Sequence, residues 1–559
     1  MNTVQSVPHA ASQSIQSSPL PSQLVARLDG LSIAIFNLGG VIGWQDLTCK
    51  KYLARSEKHP TIRSDALIAM QPSEIPLLPT DLGLETLSRP ASVLMQVLSL
   101  LNHGPIPEYL LNHEEGHLLI EEYPPADRLD NEVIPELFQK KLIRRDEDTK
   151  VVSVYPLVRE TVRQRMDKDE LSTSFQIAVV LLNAHWEYDR YAAFESRVID
   201  WGVAGIAVPH VIRLAKHFQS HEPTLPPASL GLFMSLVTRV SICLQERANW
   251  GESVELAKTA LHSLQSHQDT LGEQYADSLM CLSRAYHSLG DWVEGITYAQ
   301  LHFKQRLLVE NRKPRAEQDD FSRAMAYTEL SLSWVLNDDY DEAITLALQG
   351  REILEKTPEF LEGKYWPHWA DYHHAWALIG LGRAEEARPI LTKMLEWRRS
   401  KYGDDDTESM KTAYALQILG VVNEKTGDID AAISTWERSL ELYRKTEGDS
   451  SFRANQVRVK LGEYYGKRGE IDMAAITFKI ALDYFTGEKY HKAERARASF
   501  KQSVFFESIG QEYGAADARR EAERMFLEVC IDGKGVNLGH FYPPLTLADY
   551  DAIVMIMSR

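Results

Sequence analysis

From about residue 229 onward, apolar and polar positions fall into one recurring phrase. A small or aromatic residue is followed by a Gly/Asp turn, an aromatic or aliphatic residue, then an alanine and an apolar run. It reads ANWGESVELAKTAL, GDWVEGITYAQ, DDYDEAITLAL, GRAEEARPIL, GDIDAAISTWERSL, GEIDMAAITFKIAL and EYGAADARREAERM. The small residue after each turn falls at Ser253, Gly295, Ala343, Ala387, Ala432, Ala474 and Ala516, in steps of 42, 48, 44, 45, 42 and 42. A step this regular marks a repeat architecture. Ala474, Phe478 and Ala481 stand at i, i+4 and i+7, the buried stripe of an amphipathic helix. The glycines of Gly290-Asp291 and Gly427-Asp428 suit the left-handed residue that ends the helix before. Each unit is therefore predicted to be two antiparallel helices, with a small side chain where the second crosses the first closely. Seven such pairs are expected over residues 229–530.

Composition narrows the partners. Lys and Arg number 61 against 79 Asp and Glu, a net charge of −18, which disfavours phosphate binding and an anionic membrane surface alike. The four cysteines, Cys49, Cys243, Cys281 and Cys530, form no CxxC or other ligand spacing, so neither a disulfide framework nor a structural zinc site is expected. The first twenty residues are Ser/Gln/Pro-rich, read as a disordered tail without a signal pattern. Leu31 to Trp44, taken as the most apolar window, is short of the roughly 20 residues a membrane helix requires. A cytoplasmic or nuclear protein is expected, with no cofactor, metal, nucleic acid or membrane partner.

Leu461-Gly462 and Tyr465 followed by Ala474, Phe478 and Ala481, repeated by Leu419-Gly420 with Ala432 and Trp436, resemble the tetratricopeptide (TPR) repeat. The longer step looks like the roughly 42-residue variety of kinesin-light-chain-like repeats. The resemblance implies a superhelix whose first helices line a concave face holding a protein or peptide. Counting back from the small helix-B residue places Trp369, Tyr372, Trp376 and Ile379 of repeat four and Tyr414 and Gln417 of repeat five on that face. They are expected either to form an aromatic patch that grips a peptide or helix, or to pack between neighbouring first helices.

The front half resembles the fungal NLR-like (STAND) proteins. LVARLDGLSIAIF (24–36) and the following KKYLARSEK are similar to the last helical part of a nucleotide-binding NB-ARC module, of which 21–74 would be a remnant. Residues 75–170 resemble the winged-helix segment that follows. Asp146–Thr149 would form its β-hairpin wing, and Val152 and Val154 flanking Ser153 its strand. Residues 171–228 are read as a helical connector and 531–559 as a capping tail over the last repeat. The family's GxxxxGK[ST] phosphate loop is missing, Ser32 stands where the GLPL text has proline, and Tyr155-Pro156 replaces the histidine of its VHRLV stretch. The resemblance thus implies a chain that binds no nucleotide, either a stand-alone regulator or part of a longer gene.

Candidate chemistry is sparse. His113-Glu114-Glu115-Gly116-His117 matches HExxH literally, but Gly116 and the flanking prolines argue against the uninterrupted helix that zinc binding requires. His368, His373 and His374 are read as packing residues, with 374 at a core position. Lys140, Lys141, Arg144 and Arg145 are balanced by Asp146, Glu147 and Asp148 and read as a solvated helix end. The chain is expected to be all-α, a TPR superhelix of about seven pairs preceded by a winged-helix-like domain with a small hairpin. It is read as a non-catalytic scaffold. The alternatives are an accessory factor in a fungal biosynthetic pathway, or a metal- or nucleotide-dependent enzyme acting through its front half.

Overall fold

Ser88 starts the first described α-helix by accepting a hydrogen bond from the Ala91 amide, with Pro90 in the first turn. This is a computed structural model; it describes residues 82–102, 104–112, 123–186, 200–487, 490–532 and 544–559. The segments read as a tail and an NB-ARC remnant (1–74) lie outside the described residues, as does His113–His117. The chain divides into two units, Met1–Glu187 with Pro209–Leu232, and Tyr188–Val208 with Phe233–Arg559.

In the first unit, α1 (Arg89–Leu100) is apolar on nearly all sides and buried accordingly. Beside it lies a three-stranded antiparallel sheet of β1 (Ile106–Pro107), β2 (Ile143–Asp146) and β3 (Val151–Val154), ordered β1-β3-β2. Ile106 pairs with Val152, and Ile143 with Val154, so one face carries the buried aliphatics. Helix α2 (Ile134–Gln139) leads into β2. Helix α3 (Pro156–Arg165) starts on Pro156, and α4 (Lys168–His185) on a capping box of Asp167 and Glu170. Parts of the stretch read as a connector pack within this unit. In α4, Glu170 and Ser174 bond Gln96 of α1, and the 209–221 part of α5 (Asp200–His221) supplies His210, whose Nδ1 accepts from the Asn102 amide.

The second unit is the repeat ladder. Its pairs are the 233–246 part of α6 (Pro227–Glu246) with α7 (Trp250–Leu264), α8 (Gly272–Ser288) with α9 (Trp292–Arg312), and α10 (Asp320–Leu336) with α11 (Tyr340–Leu354). They continue with α12 (His368–Gly380) and α13 (Ala384–Tyr402), then α14 (Lys411–Lys425) and α15 (Ile429–Thr446). The last two are α16 (Phe452–Lys467) with α17 (Ile471–Gly487), and α18 (Lys492–Ser508) with α19 (Glu512–Asp532). Helix α20 (Leu547–Ala552) follows. Helix α6 is twenty residues long and, by length and composition, apolar enough to cross a membrane, though most of its apolar stretch is buried in the fold. It is a longer apolar stretch than Leu31 to Trp44, which lies outside the described residues.

The small residues sit at the helix crossings. Ser253, Ala343, Ala387, Ala432 and Ala474 are fully buried, and a β-carbon on Gly295 would lie 2.2 Å from His287 Nδ1. The seventh position is corrected: Ala516 is exposed, and Ala515, five residues after Gly510 like its counterparts after their turns, is the buried one. Gly420 is where the approach is tightest in repeat five, since a β-carbon there would meet the Trp436 indole Nε1 at 2.2 Å. Trp436 is fully buried and cannot swing aside. Gly420→Ala is expected to destabilise the protein by about 1–3 kcal/mol, read as a lower denaturation midpoint; an unchanged midpoint would show that the crossing can widen.

Candidate functional site

Each pair turns through one residue in the left-handed region. In five repeats it is glycine (Gly290, Gly382, Gly427, Gly469 and Gly510), in repeat one Ala248 (φ 58°) and in repeat three Asp338 (φ 61°). A side chain in that conformation costs roughly 1–2 kcal/mol, a penalty Asp reduces by bonding locally. Asp338 does so, its Oδ1 accepting from the Tyr340 hydroxyl at 2.5 Å. These turns also set a register. Trp369, Tyr414, Gln456 and Arg497 each stand thirteen residues before the turn residue of repeats four to seven.

The ladder closes on itself. Trp250, opening helix B of repeat one, packs edge-on against Phe452 of repeat six (ring centroids 5.0 Å) and against His491 at the start of repeat seven (5.1 Å). Gly251 admits the Tyr490 hydroxyl so closely that a β-carbon would overlap it at 2.0 Å. The array has come round so that its first repeat meets its sixth and seventh, and it borders an open interior.

Two neighbouring cavities, of about 180 and 480 Å³, lie there and share Trp250, His287, Ser288, Phe452 and Met555 as walls. Around the smaller one, the Arg284 guanidinium donates to both carboxylate oxygens of Glu329 (Nε–Oε2 2.7 Å), joining repeats two and three. Arg453 is held by Glu447 at 2.6 Å. Burial without a charged partner pushes the His287 imidazole down to about 3, and burial takes His373 to about 4. The lining is thus aromatic and apolar, with fixed charges in pairs and neutral imidazoles.

Part of the interior is filled by the chain itself. Helix α20 packs on repeat seven: Tyr550 is fully buried between Phe500 (4.6 Å) and Phe526 (5.4 Å), and Arg497 binds Asp551 at 2.7 Å. The following residues run on into the ring. Ile553, Val554 and Ile556 are buried, Ile556 in the main core cluster, while Met555 and Met557 face the smaller cavity. The Ser558 hydroxyl accepts from Gln456 Nε2 and donates to Glu494 Oε1, both at 2.6 Å, and Arg559 Nη1 donates to Asp338 Oδ1 at 2.9 Å. The segment reaches from repeat seven to the turn of repeat three.

The aromatic line expected to grip a partner is brought together, but most of it is packed away. Tyr372 is fully buried with its hydroxyl donating to the Lys411 carbonyl (2.7 Å), and Trp376 is 1% exposed with its indole donating to the Tyr414 hydroxyl (3.0 Å). Gln417 and Ile379 are buried too, Gln417 accepting from Tyr443. Tyr372 and Trp376 therefore join α12 to α14, Gln417 joins α14 to α15, and Ile379 is core; of the line only Trp369 and Tyr414 reach the cavity. The sequence missed Arg284, Glu329, Phe452, Gln456 and the 553–559 segment. The count that reached Trp369 and Tyr414, carried on to repeats six and seven (there from Ala515), would have found Gln456 and Arg497.

Other candidates resolve as structural. His373 is the core residue and bonds the Thr328 carbonyl, whereas His374 is half-buried. The basic cluster is engaged internally rather than balanced by the adjacent acids: Arg145 makes a two-point ion pair with Glu108, Arg144 lies over the Tyr155 ring, and Lys140 bonds Thr86. Among the described residues no three His, Cys, Asp or Glu side chains are grouped to hold a metal.

Fold and interior together define a TPR-like helical-repeat protein. Residues 82–171 match a domain family of unknown function, DUF7779. No curated protein matches the sequence. Among solved structures, the chain is similar to a Rap protein complexed with Competence and Sporulation Factor (12% identity, TM-score 0.43, 67% of this chain and 92% of that one). It is also similar to a STAND protein with a tetratricopeptide repeat sensor from Pyrococcus horikoshii (16%, 0.39, 87% and 64%). A third likeness is to a putative kinesin light chain repeat protein from Podosopora anserina (15%, 0.30, 38% and 98%).

Proposed function

We propose that this chain is a non-catalytic interaction scaffold that holds a peptide or protein segment inside its repeat ring. The observation that carries the reading is the 553–559 segment, which lies across the interior, makes one 3-10 turn (Ile556–Ser558) and has the side chains of Ser558 and Arg559 matched by partners on the array. A surface that orders one peptide by apolar burial, a hydroxyl pair and an ion pair has the chemistry to order another. The first unit is read as the winged helix of a fungal NLR-like (STAND) relative without its nucleotide switch, working in the cytoplasm or nucleus. Its helices and β2–β3 hairpin support this, together with the sequence resemblance.

Selection of a random peptide library on the purified chain tests the reading. Binders are expected to compete with one another and to weaken at least tenfold on Trp369→Ala and Gln456→Ala, whose side chains face the interior. Peptides that bind regardless of both substitutions would overturn it, and so would stoichiometric zinc or micromolar nucleotide in the purified protein.

A further inference from the structure

We infer that residues 553–559 are a built-in competitor for the ring's peptide site, and that the external partner is a peptide with the same three features. These are a buried aliphatic, a hydroxyl two residues later and a cation directly after it. The inference rests on the scaffold reading above and deepens it by naming what the site selects.

Three observations converge. First, the contacts are specific to side chains. Ser558 is 6% exposed and has both a donor (Gln456) and an acceptor (Glu494) at 2.6 Å, so only a hydroxyl, which both accepts and donates, satisfies the position. Second, repeat three places Asp338 where five of the seven repeats have glycine at positive φ. A residue held there against its backbone preference points to work done by its side chain, and that carboxylate holds Arg559 at 2.9 Å. Third, the segment fits loosely. Met555 borders both cavities and Met557 the smaller one, whereas a protein core leaves few voids larger than a water molecule. Methionine is the most adaptable of apolar side chains, and an occupant with bulkier groups at 555 and 557 would gain the contacts these lack. Being tethered, the segment competes at an effective concentration in the millimolar range. An external peptide therefore binds the intact chain far more weakly than a chain without it.

The test uses a fluorescent peptide of residues 553–559 (IVMIMSR), read by anisotropy. The chain lacking 553–559 is expected to bind it at least tenfold more tightly than the full chain does. The double Ser558→Ala, Arg559→Ala peptide should lose at least tenfold, as should the wild-type peptide on the shortened chain carrying Asp338→Gly. In the full chain, Asp338→Gly, which relieves the backbone, should leave the thermal midpoint undiminished and yet speed amide exchange across 553–559 at least tenfold. Equal binding to full and shortened chains overturns the inference, as does indifference to the hydroxyl and cation. Should the shortened chain fail to fold, unchanged exchange in full-length Asp338→Gly overturns it. Library peptides that bind inside the ring but lack the hydroxyl–cation pair would refute this inference and leave the scaffold reading standing. Absence of any interior binder, the 553–559 peptide included, would refute the scaffold reading and this inference with it.

Discussion

Trp376→Ala is expected to unfold the middle of the array, not to empty a groove. The indole is 1% exposed, packed where α12 meets α14, and its Nε1 donates to the Tyr414 hydroxyl. Truncation of a fully buried tryptophan costs about 3–5 kcal/mol through lost apolar contacts and the cavity left behind. It also removes the donor that the buried Tyr414 hydroxyl accepts from. In a stack where each repeat is held by its neighbours, the loss falls on the junction of repeats four and five. Urea denaturation should report it as a lower midpoint, with Trp369→Ala, half-buried at the cavity edge, losing clearly less. A Trp376→Ala protein as stable as the wild type but unable to bind would restore the groove assignment made from the sequence.

Mild acid should have an effect of similar size. Burial lowers His287 to about 3, His373 and His491 to about 4, and His302 and His368 well below their ordinary range. In the first unit His210 falls to about 4. Unfolded, each takes up a proton near pH 6.5. Folded, His287, His373, His491 and His210 stay neutral until about pH 4 or lower, and His302 and His368 to well below their ordinary range, so the unfolded chain binds more protons as pH falls from 6.5. The stabilisation is complete above about pH 6.5 and is lost as pH falls towards the folded values. Each histidine contributes about 1.4 kcal/mol per pH unit. Burial raises Asp371 and Glu494, whose earlier protonation in the folded state offsets part of the loss. Glu463, lowered to about 2 where Lys501 and Lys460 face it, acts only below about pH 4.5. Thermal midpoints should drop steeply between pH 7 and 5, and His373→Gln should reduce the slope by about one proton. A flat profile would mean the imidazoles are hydrated in solution.

The ladder was legible because its determinants are local. A left-handed turn residue and a small residue five positions later recur in each unit, and both follow from how two helices must cross. Ala516 for Ala515 was a miscount within that rule, not a failure of it. The interior was not legible, for a physical reason. Each first helix in this array is buried on several sides, so hydropathy does not separate the row that touches the next helix (Tyr372, Trp376) from the row that faces inward (Trp369, Tyr414). The remaining parts of the site are made at long range. Trp250 meets Phe452 across 202 residues of chain, and Asp338 meets Arg559 across 221. Neither pair carries a periodic signal, because each arises only once the array has come round on itself.

That closure alters how the array comes apart. An open solenoid frays from its ends, each terminal repeat melting at little expense to the rest. Here the first pair is clasped by the sixth and seventh through Trp250, Phe452, His491 and the Gly251–Tyr490 approach. The stack has no loose end at which melting starts cheaply, because opening repeat one also strips contacts from repeats six and seven. Its cooperativity is that of a hoop rather than a spring.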